Sequence, residues 1–254
     1  MTDYTGIRYA VADGVARITL ARPEVSNSVD LPTARSIALA VQAAGADDSV
    51  RVVLVDADGP RFCAGGDVAS MAASDDQATY LLDLANAFDG ALQLLAALEK
   101  PVVAAVQGAA AGAGLATVLA CDVVVAARGT KFLTAYAGIG LTPDCGLSYL
   151  LPRAVGQQRA LELALTGRVL SADEALAWGL VTELVEPDEV AARAETVAAR
   201  LAQGSVFALG QAKRLIRTSW TQSRAESGAD EAVTISRAVD TAESQALIKA
   251  FVGG

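Results

Sequence analysis

Two turns built from small residues offer backbone N–H groups to a ligand. The first is Phe62-Cys63-Ala64-Gly65-Gly66-Asp67-Val68-Ala69-Ser70-Met71; the second is Gln107-Gly108-Ala109-Ala110-Ala111-Gly112-Ala113-Gly114-Leu115-Ala116-Thr117. Each follows an apolar run rich in valine (50–55 and 102–106) and precedes a helix-compatible segment. Each therefore sets nearly naked N–H groups at a strand-to-helix corner. One N–H from each turn, aimed at a single point, makes an oxyanion hole: two preorganised donors, one at a helix N-terminus, hold charge that develops on a carbonyl oxygen.

Composition removes several other chemistries. The 254-residue chain contains no histidine, which excludes Ser-His-Asp and Cys-His nucleophilic schemes and the commonest zinc ligand. Acid–base work must fall to Asp, Glu, Tyr, Lys or Cys. No metal site is expected. Three cysteines, Cys63, Cys121 and Cys145, stand at no zinc-like spacing. With no secretory leader legible, they read as reduced thiols of a cytoplasmic protein. Twenty basic against 29 acidic residues leave a net charge of −9, a poor basis for binding nucleic acid or an anionic membrane. Residues 101–121 carry no charge, but Gln107, Gly108, Gly112 and Gly114 interrupt them, and a buried strand–turn–helix explains them better than a membrane span. Gly112-Ala113-Gly114 also begins a dinucleotide-binding fingerprint, but its third glycine and its distal acid are missing.

The elements that must position these turns follow from local pattern. Ile7–Val11 and Val15–Leu20 around Asp13-Gly14 predict a hairpin with a primed turn. Asp30 with Pro32 predicts a helix start, continuing to about Ala44. Val50–Asp56 predicts a buried strand, Gln77–Leu98 a long helix, and Asp122–Ala127 another strand. Ser171-Ala172-Asp173-Glu174 is a capping box, its helix closed by Gly179. Val181–Val185 predicts a last strand, and from Glu189 the pattern is helical throughout. The expected division is a mixed α/β core over 1–190 and a helical region over 191–254.

Over essentially its whole length the chain resembles the crotonase (enoyl-CoA hydratase/isomerase) superfamily. The resemblance rests on Arg22-Pro23 with Asn27-Ser28, the turn from Phe62 to Asp67, Cys121-Asp122-Val123, Gly140-Leu141-Thr142-Pro143-Asp144, Leu151-Pro152-Arg153, Thr166-Gly167-Arg168 and the stretch Ala175 to Val185. It implies an α/β fold, a crotonase-like spiral of ββα turns with a helical C-terminal region. It also implies an acyl-CoA thioester substrate, with coenzyme A arriving on the substrate and no separate cofactor. The oxyanion donors are matched to Gly66 and Ala113. Ala64, Gly65, Gly66, Asp67 and Val68 line the CoA channel, with the Ala64 backbone toward the adenine. Lys249, on the last helix, matches a lysine-bearing helix that reaches CoA in relatives, and the implied assembly is a homotrimer or hexamer.

Two departures from the family pattern bear on the reaction. The two glutamates with which hydratases of the family hold water are matched here by Ala116 and Tyr136, neither of which exchanges a proton as a carboxylate does. By the resemblance, Asp144 stands where the family's Δ3,Δ2-enoyl-CoA isomerases and its ring-opening phenylacetate-pathway isomerases keep a sole acid. One carboxylate suffices for that reaction. Read locally, the Pro143-Asp144 pair is also a common helix cap. Tyr136 is expected either to contact the acyl group or to fill the pocket, and Cys145 to be a small core residue. The implied activity is an enoyl-CoA isomerase. The alternatives are a hydratase with an atypical residue set, a dehalogenase-like enzyme, and a non-catalytic CoA-thioester binder; the missing tryptophan at 136 and the missing histidine count against the dehalogenase.

Overall fold

The structure, a computed structural model, describes residues 3–253. In chain order its elements are β1 (Ile7–Ala12), β2 (Val15–Leu20), α1 (Leu31–Ala46), β3 (Val52–Ala57), α2 (Val68–Ala72), α3 (Gln77–Ala97), β4 (Val102–Val106), β5 (Ala109–Ala111), α4 (Ala113–Ala120), β6 (Val123–Ala127), β7 (Lys131–Leu133), α5 (Leu147–Val155), α6 (Gln157–Thr166), β8 (Leu170–Ser171), α7 (Ala172–Ala177), β9 (Glu183–Val185), α8 (Val190–Ala202), α9 (Val206–Thr218), α10 (Arg224–Ala238) and α11 (Ala242–Gly253).

The main sheet has the order β1-β2-β3-β4-β6-β9, with the β1–β2 hairpin antiparallel and every later pairing parallel. Asp13 and Gly14 both adopt positive φ (50° and 78°), as the primed hairpin turn requires. The central strands β4 and β6 are apolar at every position, and β3 at every position but Asp56, because both sheet faces are covered. Val53, Val55, Val102, Ala104, Val124 and Ala126 enter the large core shared with α1, α3 and α4. The alternate residues Val52, Leu54, Val103, Ala105, Val125 and Ala127 meet α8, which answers with Val190, Ala194, Val197, Ala198 and Ala202 on one helical stripe. The first helix of the C-terminal region is thus a layer of the sheet's own core.

The capping signals are used as read. Asp30 accepts from Thr33 N at 2.9 Å, and Ser171 with Glu174 forms a reciprocal capping box. A second, three-stranded sheet (β5-β7-β8) was not foreseen from sequence, and it positions the second turn. Its β5 is only Ala109–Ala111, and a run of alanines carries no strand preference.

The helix α9 is fastened to this body by charge. Lys213 and Arg217, one helical turn apart, both reach the carboxylate of Asp122, at 2.9 Å and 2.8 Å. Asp122 also accepts from Val102 N, while Lys213 donates to the Leu95 and Lys100 carbonyls. Burial pulls the Lys213 ammonium below its ordinary pKa, against the opposing pull of Asp122. Gly210 lets α9 approach this closely: a Cβ there would stand 2.1 Å from the Glu99 carbonyl oxygen. Among the described residues no helix is long and apolar enough to cross a membrane, and no cluster of His, Cys, Asp and Glu could hold a metal ion.

Candidate active site

The two small-residue turns run side by side. Cys63 N donates to Ala109 O at 3.1 Å and Ala111 N to Cys63 O at 2.9 Å, a parallel bridge that joins the first turn to β5. On its other edge the first turn is held by Val29, whose N–H donates to Gly65 O at 2.8 Å and whose carbonyl accepts from Asp67 N at 2.9 Å. Backbone N–H groups alternate in direction along an extended segment. With Gly65 and Asp67 both tied to Val29, the Gly66 N–H between them faces away. Gly112 N donates to Leu133 O at 3.1 Å, and α4 starts at the next residue, so Ala113 N has no partner within its helix. Neither the Gly66 nor the Ala113 N–H donates to a protein acceptor among the described residues.

Both residues line one cavity of about 70 Å³, together with Ala64, Gly65, Asp67, Val68, Gly112, Tyr136, Leu141 and Asp144. The rest of its wall is apolar, with Met71, Leu81, Leu84, Ala135 and Ile139, except for Thr134. Close approach of the turns depends on glycine. Gly65 has φ +100°, and a Cβ there would lie 3.0 Å from Ala111 O and 3.4 Å from Ala113 N.

Three titratable side chains reach this cavity: Asp67, Tyr136 and Asp144. Asp67 is buried and already committed. Its carboxylate accepts from Ser70 N at 3.1 Å, capping α2, and pairs with Arg22 at 2.9 Å. Burial alone would raise its pKa, but Ser70 and Arg22 outweigh burial and hold it below the ordinary aspartate range. The sequence reading put Asp67 in the channel wall. It lies there, but its charge serves the loop.

Asp144 is half-buried. The helix that follows is capped by Gly146 with no side-chain bond, so Asp144 is not the helix cap that its Pro-Asp setting suggests. Its Oδ1 accepts a hydrogen bond from the Tyr136 hydroxyl at 2.6 Å. That bond was not anticipated for either residue. The Tyr136 phenol is pushed far above its ordinary pKa, first by burial and then by the charge and hydrogen bond of Asp144. Burial, followed by the same charge, also drives up the Cys145 thiol.

Ala116, matched to the first hydratase glutamate, is fully buried in α4 and does not line the cavity. Lys249 lies exposed on α11 and is likewise not in its wall. A larger groove of about 700 Å³ lies between α3, α5 and α9; it shares no lining residue with the cavity, though Cys145 and Gly146, next to Asp144 in the chain, are in its wall.

This arrangement can be set beside known proteins. The family model for enoyl-CoA hydratase/isomerase matches residues 10–253. The chain belongs to this family. The trans-2-decenoyl-[acyl-carrier-protein] isomerase of Streptococcus mutans is 38% identical over 216 residues, covering 84% of this chain and 82% of the relative. The 1,2-epoxyphenylacetyl-CoA isomerase of Escherichia coli is 37% identical over 213 residues, 83% and 81% of the two chains. The crystal structure of an enoyl-CoA hydratase from Polaromonas sp. JS666 superposes with a TM-score of 0.93 at 29% identity, covering 97% of this family member and 96% of that chain. The spiral α/β fold with C-terminal helices is thus that of the family, and the family member is an enzyme of the hydratase/isomerase type. Hydratase and dehalogenase names also occur among its relatives.

Proposed function

We propose that this enzyme moves a double bond within an enoyl-CoA, with Asp144 as its one proton-transferring carboxylate. In this reading the thioester carbonyl of a 3-enoyl-CoA sits against the N–H groups of Gly66 and Ala113. Asp144 takes a proton from C2. The resulting dienolate places its charge on the oxygen held by the two amides, and Asp144 returns the proton to C4. Bonds and charges balance without a cofactor: one C–H breaks, one forms, and the double bond moves between them.

One observation carries the proposal. Of the titratable groups in the cavity wall, Asp67 is spent on Arg22 and Ser70, and Tyr136 is held protonated by burial and by Asp144. That leaves a single carboxylate, enough for a base that gives back what it takes and too few to hold and activate a water as the family's paired glutamates do. The names of two relatives, an enoyl-thioester isomerase and an epoxyphenylacetyl-CoA isomerase, agree with a one-acid site. Ala64 and Val68, both exposed at the cavity's edge, are the proposed start of the CoA channel.

The test is direct. Purified enzyme is incubated with 3-enoyl-CoA and, separately, with 2-enoyl-CoA, and the products are resolved by reversed-phase chromatography, which parts the two isomers, and weighed by mass spectrometry. Interconversion of the two without change of mass is expected. A gain of one water from 2-enoyl-CoA, with no isomerisation, would replace this reading with a hydratase.

A further inference from the structure

Tyr136 joins the two halves of the site. Its ring lies against Gly112, the residue before Ala113: a Cβ at 112 would stand 3.5 Å from the ring carbon Cζ and 3.7 Å from the hydroxyl oxygen. Its hydroxyl donates to Asp144 Oδ1 at 2.6 Å. The main chain that carries the ring is held in place. The Tyr136 carbonyl accepts from Ile139 N and Leu141 N, both at 3.1 Å, closing the loop on itself, and Ala135 before it is held at φ 63°.

We infer that Tyr136 is the positioning residue of Asp144, anchoring one carboxylate oxygen so that the other is presented to the substrate's C2 and C4. The inference rests on the reading of Asp144 as the base. A carboxylate that serves two carbons in turn must keep one oxygen aimed along the line between them. An aspartate turning freely about its side-chain bonds would lose that aim. A donor on Oδ1 makes this oxygen the fixed point and leaves Oδ2 for the proton. Burial and the neighbouring charge raise the phenol well above its ordinary range, so near neutral pH it stays a donor to Asp144 and does not compete for the substrate's proton. The ring's packing on Gly112 ties the aim of the base to the start of α4, and so to the Ala113 amide. The proton acceptor and the oxyanion donor are thereby held in one frame.

The test is a double-mutant cycle on 3-enoyl-CoA isomerisation with the full chain. Tyr136→Phe keeps the ring on Gly112 and removes only the hydroxyl. It is expected to lower kcat roughly 10- to 100-fold, the cost of a misaimed catalytic group, with KM unchanged to within about twofold. In an Asp144→Asn background the same change is expected to cost nothing further. An equal loss in both backgrounds would mean that Tyr136 acts on the substrate itself, and full activity of Tyr136→Phe would remove its role; either result overturns the inference and leaves Asp144 as the base. Full activity of Asp144→Asn alone would instead overturn the base and the inference with it. Should Tyr136→Phe not fold, Tyr136→Gln and Tyr136→Leu, similar in size but differing in a donor, give the same comparison: Gln is expected to exceed Leu in kcat, and equality overturns the inference.

Discussion

Gly114 approaches Cys63 so closely that a Cβ at 114 would stand 2.4 Å from the Cys63 carbonyl oxygen and 2.8 Å from its Cβ. The contact is between the backbones of the two turns, so no flexible side chain can yield. Gly114→Ala should push the turns apart, destabilising the protein by about 1–3 kcal/mol, the usual cost of overpacking. Isomerase activity should fall further than stability, since Gly66 and Ala113 would no longer face one point. Urea unfolding together with kcat checks this; an unchanged midpoint would mean that the turns are not rigidly joined.

Asp144→Asn retains size and the capacity to accept from Tyr136 but cannot take a proton. Isomerisation is expected to fall by roughly 10²–10⁴-fold, the usual contribution of a placed acid–base group. Binding of a saturated acyl-CoA, measured by calorimetry, should survive within a few-fold.

Asp67 is held below the ordinary aspartate pKa, with Ser70 and Arg22 outweighing burial. A carboxylate with a lowered folded-state pKa adds stability above its unfolded value, about 4, and loses that contribution as pH falls through the folded value. Asp67→Asn should therefore cost about 1–2 kcal/mol at pH 7 and progressively less below pH 4. Unfolding curves for both proteins at pH 7 and pH 3 test this. A constant difference would assign the effect to shape and not to charge.

All three cysteines are buried, and burial raises each thiol: Cys63 to about 11, Cys121 to about 12 with help from Asp122, and Cys145 higher still. At pH 8 a thiol near 11 is ionised in only about one molecule in 10³. A thiol reagent should thus find none of the three in the folded protein and all three in guanidinium. Rapid labelling of Cys145 in the native state would reveal an opening beside Asp144.

The C-terminal helices leave Ile216, Ile235, Leu247, Phe251 and Val252 exposed. With the alanine-rich composition of this region, that pattern leads to the expectation of a homotrimer or a hexamer of two trimers. Light scattering at micromolar concentration gives the answer, and a monomer would count against it.

Much of the scaffold is legible locally. Asp13-Gly14, Asp30 and Ser171 each announce their turn or cap through a backbone requirement that few residues meet. The two turns were legible as strand-to-helix corners, but small residues there serve close packing as well as an oxyanion hole, and it was the resemblance at Phe62–Met71 that favoured the second use. The partners that complete the site were not legible. Tyr136 and Asp144 stand eight positions apart in a loop without periodicity, and nothing in their spacing shows that one points at the other. Asp67 finds Arg22, and Asp122 finds Lys213 and Arg217, across separations that local patterns cannot bridge. The one available signal was the pair Lys213 and Arg217 on one helical face, which asks for a shared acid.

The covering of the sheet by α8 has a consequence for how the protein is made. Val52, Leu54, Val103 and Val125 are laid down long before Val190–Ala202 exist to cover them. A chain growing from its N-terminus can assemble the hairpin, the parallel strands and the layer of α1 and α3 while the opposite sheet face still lies bare to water. Completion of that face waits on residues synthesised near the end. Until then the nascent protein carries an apolar sheet surface of the kind that chaperones hold and that other nascent chains adhere to. Chains released before residue 202 should be lost to aggregation even though every residue of the cavity wall is already present.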